Sequence, residues 1–152
     1  MRVLYIAHTQ DMSGASRSMM QMIKELRAYH GIEPFVVMPR IKMDTNVTLA
    51  AECRSNGIPY IEHKMTRFKR HEGCSIIECA YFIILHAITA IHIMWLLRKE
   101  KFDLVHSNSS VTDMGAYLSM QKKIPHVFVA WVNDMKNGYT EKELDLSQSQ
   151  MR

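Results

Sequence analysis

The chain has 152 residues, 47% of them apolar, a net charge of +4 and three cysteines. That length and apolar share suit one α/β domain with one substantial core, and no second lobe is expected within it. The basic residues gather at Arg67, Lys69 and Arg70 and at Arg98, Lys99 and Lys101 without an aromatic-interleaved stripe, a pattern that argues against nucleic acid and suits an anionic lipid surface or a phosphate-bearing substrate.

Residues 2–8 are an apolar, β-rich run, the pattern of a strand buried on both faces of a parallel sheet. A polar loop and Gly14-Ala15-Ser16 then lead into Met19, Met22, Ile23 and Leu26 at helical spacing. Gly31 is placed to end that helix with a left-handed cap. Residues 33–38 read as a second strand closed by Pro39, and Asp44 or Thr45 as the N-cap of a helix reaching Arg54. Asn56-Gly57 stops that helix before a short strand at 58–61, and 62–74 reads as a charged loop with a basic tip.

Residues 75–97 are almost wholly apolar over about 23 positions, enough to cross roughly 30 Å of hydrocarbon as a helix. On a helical projection Ser75, Glu78, His86, Thr89 and His92 share one sector with Phe82, Leu85, Ile93 and Leu96. Because the strands before and after this segment must pair, a mostly buried or interfacial helix with one partly wet face is expected, in preference to a membrane span or a broken helix. A strand at 102–107, a helix at 111–121 with Thr112 as its N-cap, and a strand at 126–132 behind Pro125 follow. The alternation predicts an α/β fold: a Rossmann-like, mostly parallel, doubly wound sheet with helices on both faces. Residues 1–132 form that lobe, and 133–152 are expected to be a polar, partly disordered tail.

Such sheets bind ligands beyond the carboxyl ends of their strands, here 7–17, 38–42, 107–113 and 132–134. Ser13, Gly14, Ala15, Ser16 and Arg17 offer backbone N–H groups and the positive end of a helix dipole to a phosphate or carboxylate. The competing reading is a tight turn with a serine cap. At the end of the fourth strand His106, Ser107, Asn108, Ser109 and Ser110 present five consecutive hydrogen-bonding side chains suited to a hydroxyl-rich molecule. There the competing reading has the serines shaping the turn, Asn108 bonded to backbone and His106 as a satisfied core histidine. Asp134 joins the candidate substrate-binding residues, Asp11 and Asp113 stand isolated, and no residue is singled out as catalytic.

The Gly-x-Gly-x-x-Gly fingerprint is absent, so no nicotinamide or flavin cofactor is expected. Neither the eight histidines nor Cys74 and Cys79 have metal-site spacing, so no metal is expected either. Three cysteines, Cys53, Cys74 and Cys79, with Met1-Arg2 running straight into a strand, suit a reduced, cytoplasmic compartment.

Three stretches carry a family resemblance: Val3 to Thr9 with Ser13-Gly14-Ala15-Ser16-Arg17-Ser18, Asn56-Gly57-Ile58-Pro59-Tyr60, and Phe102 to Ser110, followed by Gly115-Ala116 and Ile124-Pro125-His126. Over about residues 1–132 the chain resembles the N-terminal domain of family 4 glycosyltransferases, retaining enzymes of bacterial type with two facing Rossmann-like lobes, the GT-B fold. Ser13 and Ser16 stand where that loop has a glycine and a glutamate. After the fifth strand, where relatives commonly carry a histidine, this chain reads Val129-Ala130-Trp131-Val132-Asn133-Asp134.

The resemblance implies the acceptor-binding lobe of a retaining glycosyltransferase of polysaccharide or glycoconjugate biosynthesis, inactive until a C-terminal lobe supplies the nucleotide sugar. It places Gly14 and Ala15 near the donor phosphates and Asn108 to Ser110 on the acceptor side, with an acceptor that is often lipid-linked. It also implies peripheral contact with the inner face of the membrane through 64–70, where basic residues adjoin an apolar helix. Two other readings stand beside it: a binding or scaffolding module that pairs with a separate donor-binding chain, and a flavodoxin- or receiver-like regulator, which needs an acidic pocket or an FMN phosphate loop. An unpaired sheet edge or an exposed apolar face would drive self-association.

Overall fold

β1 (Arg2–Ile6) is the centre of a five-stranded, all-parallel sheet in the order β3-β2-β1-β4-β5. The structure is a computed structural model, and it describes residues 1–42, 47–65, 75–108 and 114–129. β1 is apolar at every position after Arg2 because it is covered on both faces. Leu4 lies beside Phe35 of β2 (Glu33–Pro39) and Val105 of β4 (Leu104–Ser107). β3 (Tyr60–His63) and β5 (His126–Phe128) extend the sheet at either side.

The side-chain alternation along each strand divides the core into two layers. Val3, Tyr5, Val36 and Met38 face Met19, Met20 and Ile23 of α1 (Gly14–His30) and Leu49, Ala50 and Cys53 of α2 (Leu49–Ser55). Leu4, Ile6, Phe35, Val37 and Val105 face Ala90, Ile93 and Leu97 at the end of α3 (Ile76–Leu96) and Met114 and Leu118 of α4 (Met114–Lys122). The first two connections therefore run over one face and the next two over the other, which is the doubly wound, Rossmann-like arrangement expected from the sequence.

Local chemistry explains the boundaries. Gly31 closes α1 at φ 60° and ψ 30°, the left-handed conformation a glycine adopts at least cost. α2 begins at Leu49 with Thr48 as its N-cap, the hydroxyl accepting from the Ala51 N–H at 3.1 Å. The expected caps Asp44 and Thr45 lie outside the described residues. β3 starts two residues later than 58–61 predicts, because Ile58 is still turning out of α2, its N–H bonded to the Cys53 carbonyl at 2.9 Å while its side chain fills the core. Thr112 and residues 130–132 of the expected fifth strand lie outside the described residues, as does the tail at 133–152.

The main departure from the sequence reading is α3. It opens with a capping box, the Ser75 hydroxyl accepting from the Glu78 N–H while the Glu78 carboxylate accepts from the Ser75 N–H at 2.9 Å. Its far end is stapled by Lys122, whose ammonium donates to the carbonyls of Leu97 and Glu100 at 2.9 and 2.7 Å. Between these ends the helix is not mostly buried. Among its described side chains a narrow stripe including Ala90, Ile93 and Leu97 meets the sheet, and the opposite face presents isoleucines and Trp95 to solvent. Thr89, expected on the wet side, is buried with its hydroxyl donating to the Leu85 carbonyl at 2.9 Å.

Candidate functional site

The strand order reverses at β1, whose neighbours β2 and β4 lead to helices on opposite faces, so a crevice opens beyond the carboxyl ends of β1 and β4. Three sets of hydrogen bonds fix its floor. The Ala7 N–H donates to Val37 O at 2.9 Å and the Asn108 N–H to Ile6 O at 3.0 Å, carrying the ladder one residue past each strand. The loop after β1 is held to β3 by Gln10, whose amide donates to the Glu62 carboxylate at 2.8 Å. It is held to α2 by the Leu49 N–H, which donates to Gln10 O at 2.8 Å.

The two stretches singled out in the sequence meet here. The side-chain amide of Asn108 donates to the carbonyl of Ala15 at 3.2 Å, joining the end of β4 to the first turn of α1. Both partners lie away from bulk water, Asn108 being buried and Ala15 half-buried. Ser13 is the N-cap residue by backbone conformation but makes no side-chain cap bond. The first intrahelical bond runs from the Arg17 N–H to Ser13 O at 2.9 Å. The N–H groups of Gly14, Ala15 and Ser16 therefore end the helix without an intrahelical acceptor or a serine cap, and no acidic side chain stands in the first turn. That is a concentration of positive partial charge suited to an anionic oxygen. Ser13, Gly14 and Arg17 are exposed, while Ser16 is buried with its hydroxyl oxygen lacking a hydrogen-bond partner.

His106 is placed differently. It points from β4 toward the layer beneath α1, buried, with its ring 5.2 Å from that of Tyr5 and its Nδ1 without a partner. Burial, with a smaller contribution from His126, lowers its pKa from the ordinary 6.5, so the ring is neutral at pH 7. Ser109, Ser110 and Asp134, with Asp113, lie outside the described residues, as do 66–70 of the basic loop. Asp11 sits half-buried at the rim, its backbone bridged to Thr48.

A lowered histidine pKa means that the unfolded chain takes up the proton first. Stability is complete above the unfolded value near 6.5 and falls as the pH drops through the lower folded value. His126 and His63, also lowered chiefly by burial, act in the same direction. The melting temperature is expected to fall on acidification from pH 7.5 toward about 5, and His106→Phe, which keeps a ring against Tyr5, to make the fall shallower. An unchanged acid limb in that variant would show that His106 does not contribute.

The sequence reading did not single out a pair behind this crevice. The hydroxyl of Ser107 and Nε2 of His126 are 2.8 Å apart, and Gly115 of α4 packs against both. Ser107 is wholly buried, so the pair joins β4 to β5 beneath α4 and does not face a substrate. Gly115 and His126 were legible as residues of the family resemblance, but nothing local in the sequence indicated their contact. Cys53 is excluded as a nucleophile: it is buried in the α2 layer, where burial pushes its thiol up to about 12.

Among the described residues no group of three or more His, Cys, Asp or Glu side chains could hold a metal ion. An open groove of about 510 Å³, lined by Lys24, Arg27, Ala28, Asn56 and Ile58, lies by the far end of α1, away from the crevice.

No family model and no curated protein matches the chain. Solved structures resemble it, among them the following two. The glycotransferase of kitacinnamycin superposes with a TM-score of 0.58 at 12% identity, over 85% of this chain and 30% of that one. MurG of Acinetobacter baumannii superposes with a TM-score of 0.52 at 13% identity, over 88% of this chain and 38% of that one. Both neighbours are GT-B glycosyltransferases. The likeness establishes the fold, a Rossmann-like arrangement of the GT-B kind, and this chain spans about a third of the length of either neighbour.

Proposed function

We propose that this chain is the acceptor-side lobe of a retaining glycosyltransferase, and that sugar transfer requires a second lobe to hold the nucleotide sugar. The observation that carries the reading is the bond from Asn108 to the Ala15 carbonyl. It ties the uncapped first turn of α1 to the polar end of β4 at the switch point of a sheet whose structural neighbours are GT-B glycosyltransferases. The N–H groups of Gly14, Ala15 and Ser16 would lie toward the junction with the donor, where the departing diphosphate gathers negative charge. Fixed N–H dipoles stabilise that charge without having to reorganise. Asn108 would hold this turn in register with the acceptor.

A titration followed by calorimetry or NMR tests the division of labour. The isolated chain is presented separately with a panel of nucleotide sugars and with polyprenyl-phosphate or oligosaccharide acceptors. Acceptor binding that shifts the amide resonances of residues 13–17 and 106–108, with no binding of nucleotide sugars, is the expected result. Tight binding of a nucleotide sugar by this chain alone would overturn the assignment of donor binding to another lobe.

A further inference from the structure

The outward face of α3 carries a second apolar pattern that the sheet does not use. Ile77, Tyr81, Ile84, Ile88, Ile91 and Trp95 recur at alternating intervals of four and three residues, and each is between 56 and 81% exposed. That period of 3.5, on a face exposed to solvent, suits a seam that packs against another helix. The stripe lies opposite the buried Ala90, Ile93 and Leu97, so it is additional to the contact that holds α3 on the domain.

The geometry points to a second copy of this chain as the occupant, with the two α3 helices packed antiparallel across a twofold axis. The seam is self-complementary in that sense. Laid antiparallel about its midpoint, Ile77 meets the partner's Trp95, Tyr81 meets the partner's Ile91 and Ile84 meets the partner's Ile88, and the symmetry repeats each pair. Every layer then joins a seam residue to a seam residue with none left over. Ala80 and Ala87 flank the stripe and allow close approach of the helix axes.

Charge selects the same direction. Glu78 stands in the first turn, and Arg98 and Lys99 immediately follow the helix, so an antiparallel pair brings opposite charges and opposite dipole ends together. A parallel pair would set like against like at both ends. A bilayer is the poorer occupant: helices that lie on membranes carry lysine and arginine along the polar face, whereas Glu78 is the only charged residue between Ile76 and Leu96, and a helix that crossed the bilayer, though long and apolar enough to do so, would strip Ala90, Ile93 and Leu97 from the sheet. This inference does not depend on the sugar-transfer reading.

Sedimentation of the full chain without detergent tests it, with the isolated Ile84→Glu and Ile88→Glu variants beside the parent. The parent is expected to dimerise reversibly, and either variant, by placing a charge in the central layers, to weaken dimerisation by about 100-fold or more with its helical circular dichroism unchanged. Orientation is read by oxidative crosslinking in a Cys74→Ser, Cys79→Ser background. A mixture of Ile77→Cys and Trp95→Cys chains is expected to give the mixed disulfide in preference to either self-pair. Self-crosslinking of the Ile77→Cys chain would overturn the antiparallel arrangement. A monomeric parent, or a dimer that persists in both glutamate variants, would overturn the interface. Binding of a monomeric parent to vesicles of phosphatidylglycerol and phosphatidylcholine, abolished by Ile88→Glu, would assign the face to a bilayer instead.

Discussion

Gly115→Ala is expected to lower the stability of this domain by about 2 kcal/mol, although a helix interior ordinarily gains about 1 kcal/mol from that exchange. A Cβ at this position would lie 1.9 Å from the Ser107 hydroxyl oxygen and 2.8 Å from Nε2 of His126. Ser107 can relieve the first contact only by turning away from His126, which leaves a buried polar pair broken, a loss of about 1–3 kcal/mol. Overpacking of a closed core adds a similar amount, about 1–3 kcal/mol. The propensity gain offsets only part of this, and the net loss should appear as a fall of roughly 6–8 °C in the melting temperature. Ser107→Ala in the same chain removes the nearest obstacle, so the double variant is expected to lose less than the sum of the single effects. A Gly115→Ala chain as stable as the parent would mean that α4 is free to move off the sheet at this point.

The second large effect is expected at Asn108, where stability and binding can be separated. Asn108→Ala removes a buried amide that donates to Ala15 O and leaves a small cavity, a combined cost of about 1–3 kcal/mol. It frees the first turn of α1 from β4 and should weaken ligand binding in the crevice about tenfold. Asn108→Asp keeps the shape but places a carboxylate against the Ala15 carbonyl and beside the N–H groups of that turn. It should exclude an anionic ligand altogether while the helix dipole partly offsets the buried charge. Anion binding weakened in the alanine variant and lost in the aspartate variant, followed by calorimetry, is the expected order. Equal losses in both would show that Asn108 acts only through packing.

The fold was legible from the sequence because its periodicities were strong. The doubly apolar runs at 2–8 and 33–38 could belong only to strands covered on both sides, and Gly31 marked the end of α1 to the residue. The meeting of Ser13 to Arg17 with Asn108 followed from the rule for strand ends, since a doubly wound sheet brings those loops together whatever their sequences. What could not be read was which face of α3 meets the sheet. A segment apolar nearly all round carries more than one candidate face, and helical projection ranks faces by polarity without knowing the shape of the surface they meet. Thr89 shows the difficulty: its hydroxyl finds the Leu85 carbonyl within the helix and so can be buried. The four-three spacing of the isoleucines was present in the sequence, but spacing alone does not say whether a seam faces the core or another molecule. The contact of Gly115 with Ser107 and His126 is non-local, and no pattern within α4 announces it.

The position of β1 at the centre of the sheet also bears on the order in which the molecule can be completed. Its partner on one side, β2, follows about thirty residues later, but its partner on the other, β4, is about a hundred residues away along the chain. On a ribosome, β1, α1, β2, α2 and β3 can assemble as soon as they emerge, while Leu4, Ile6, Phe35 and Val37 on the opposite face wait for α3 and α4 to arrive. The nascent chain therefore passes through a stage with a finished half-sandwich and a bare apolar sheet, and the segment that must cover this face first is the one whose own outer surface is also apolar.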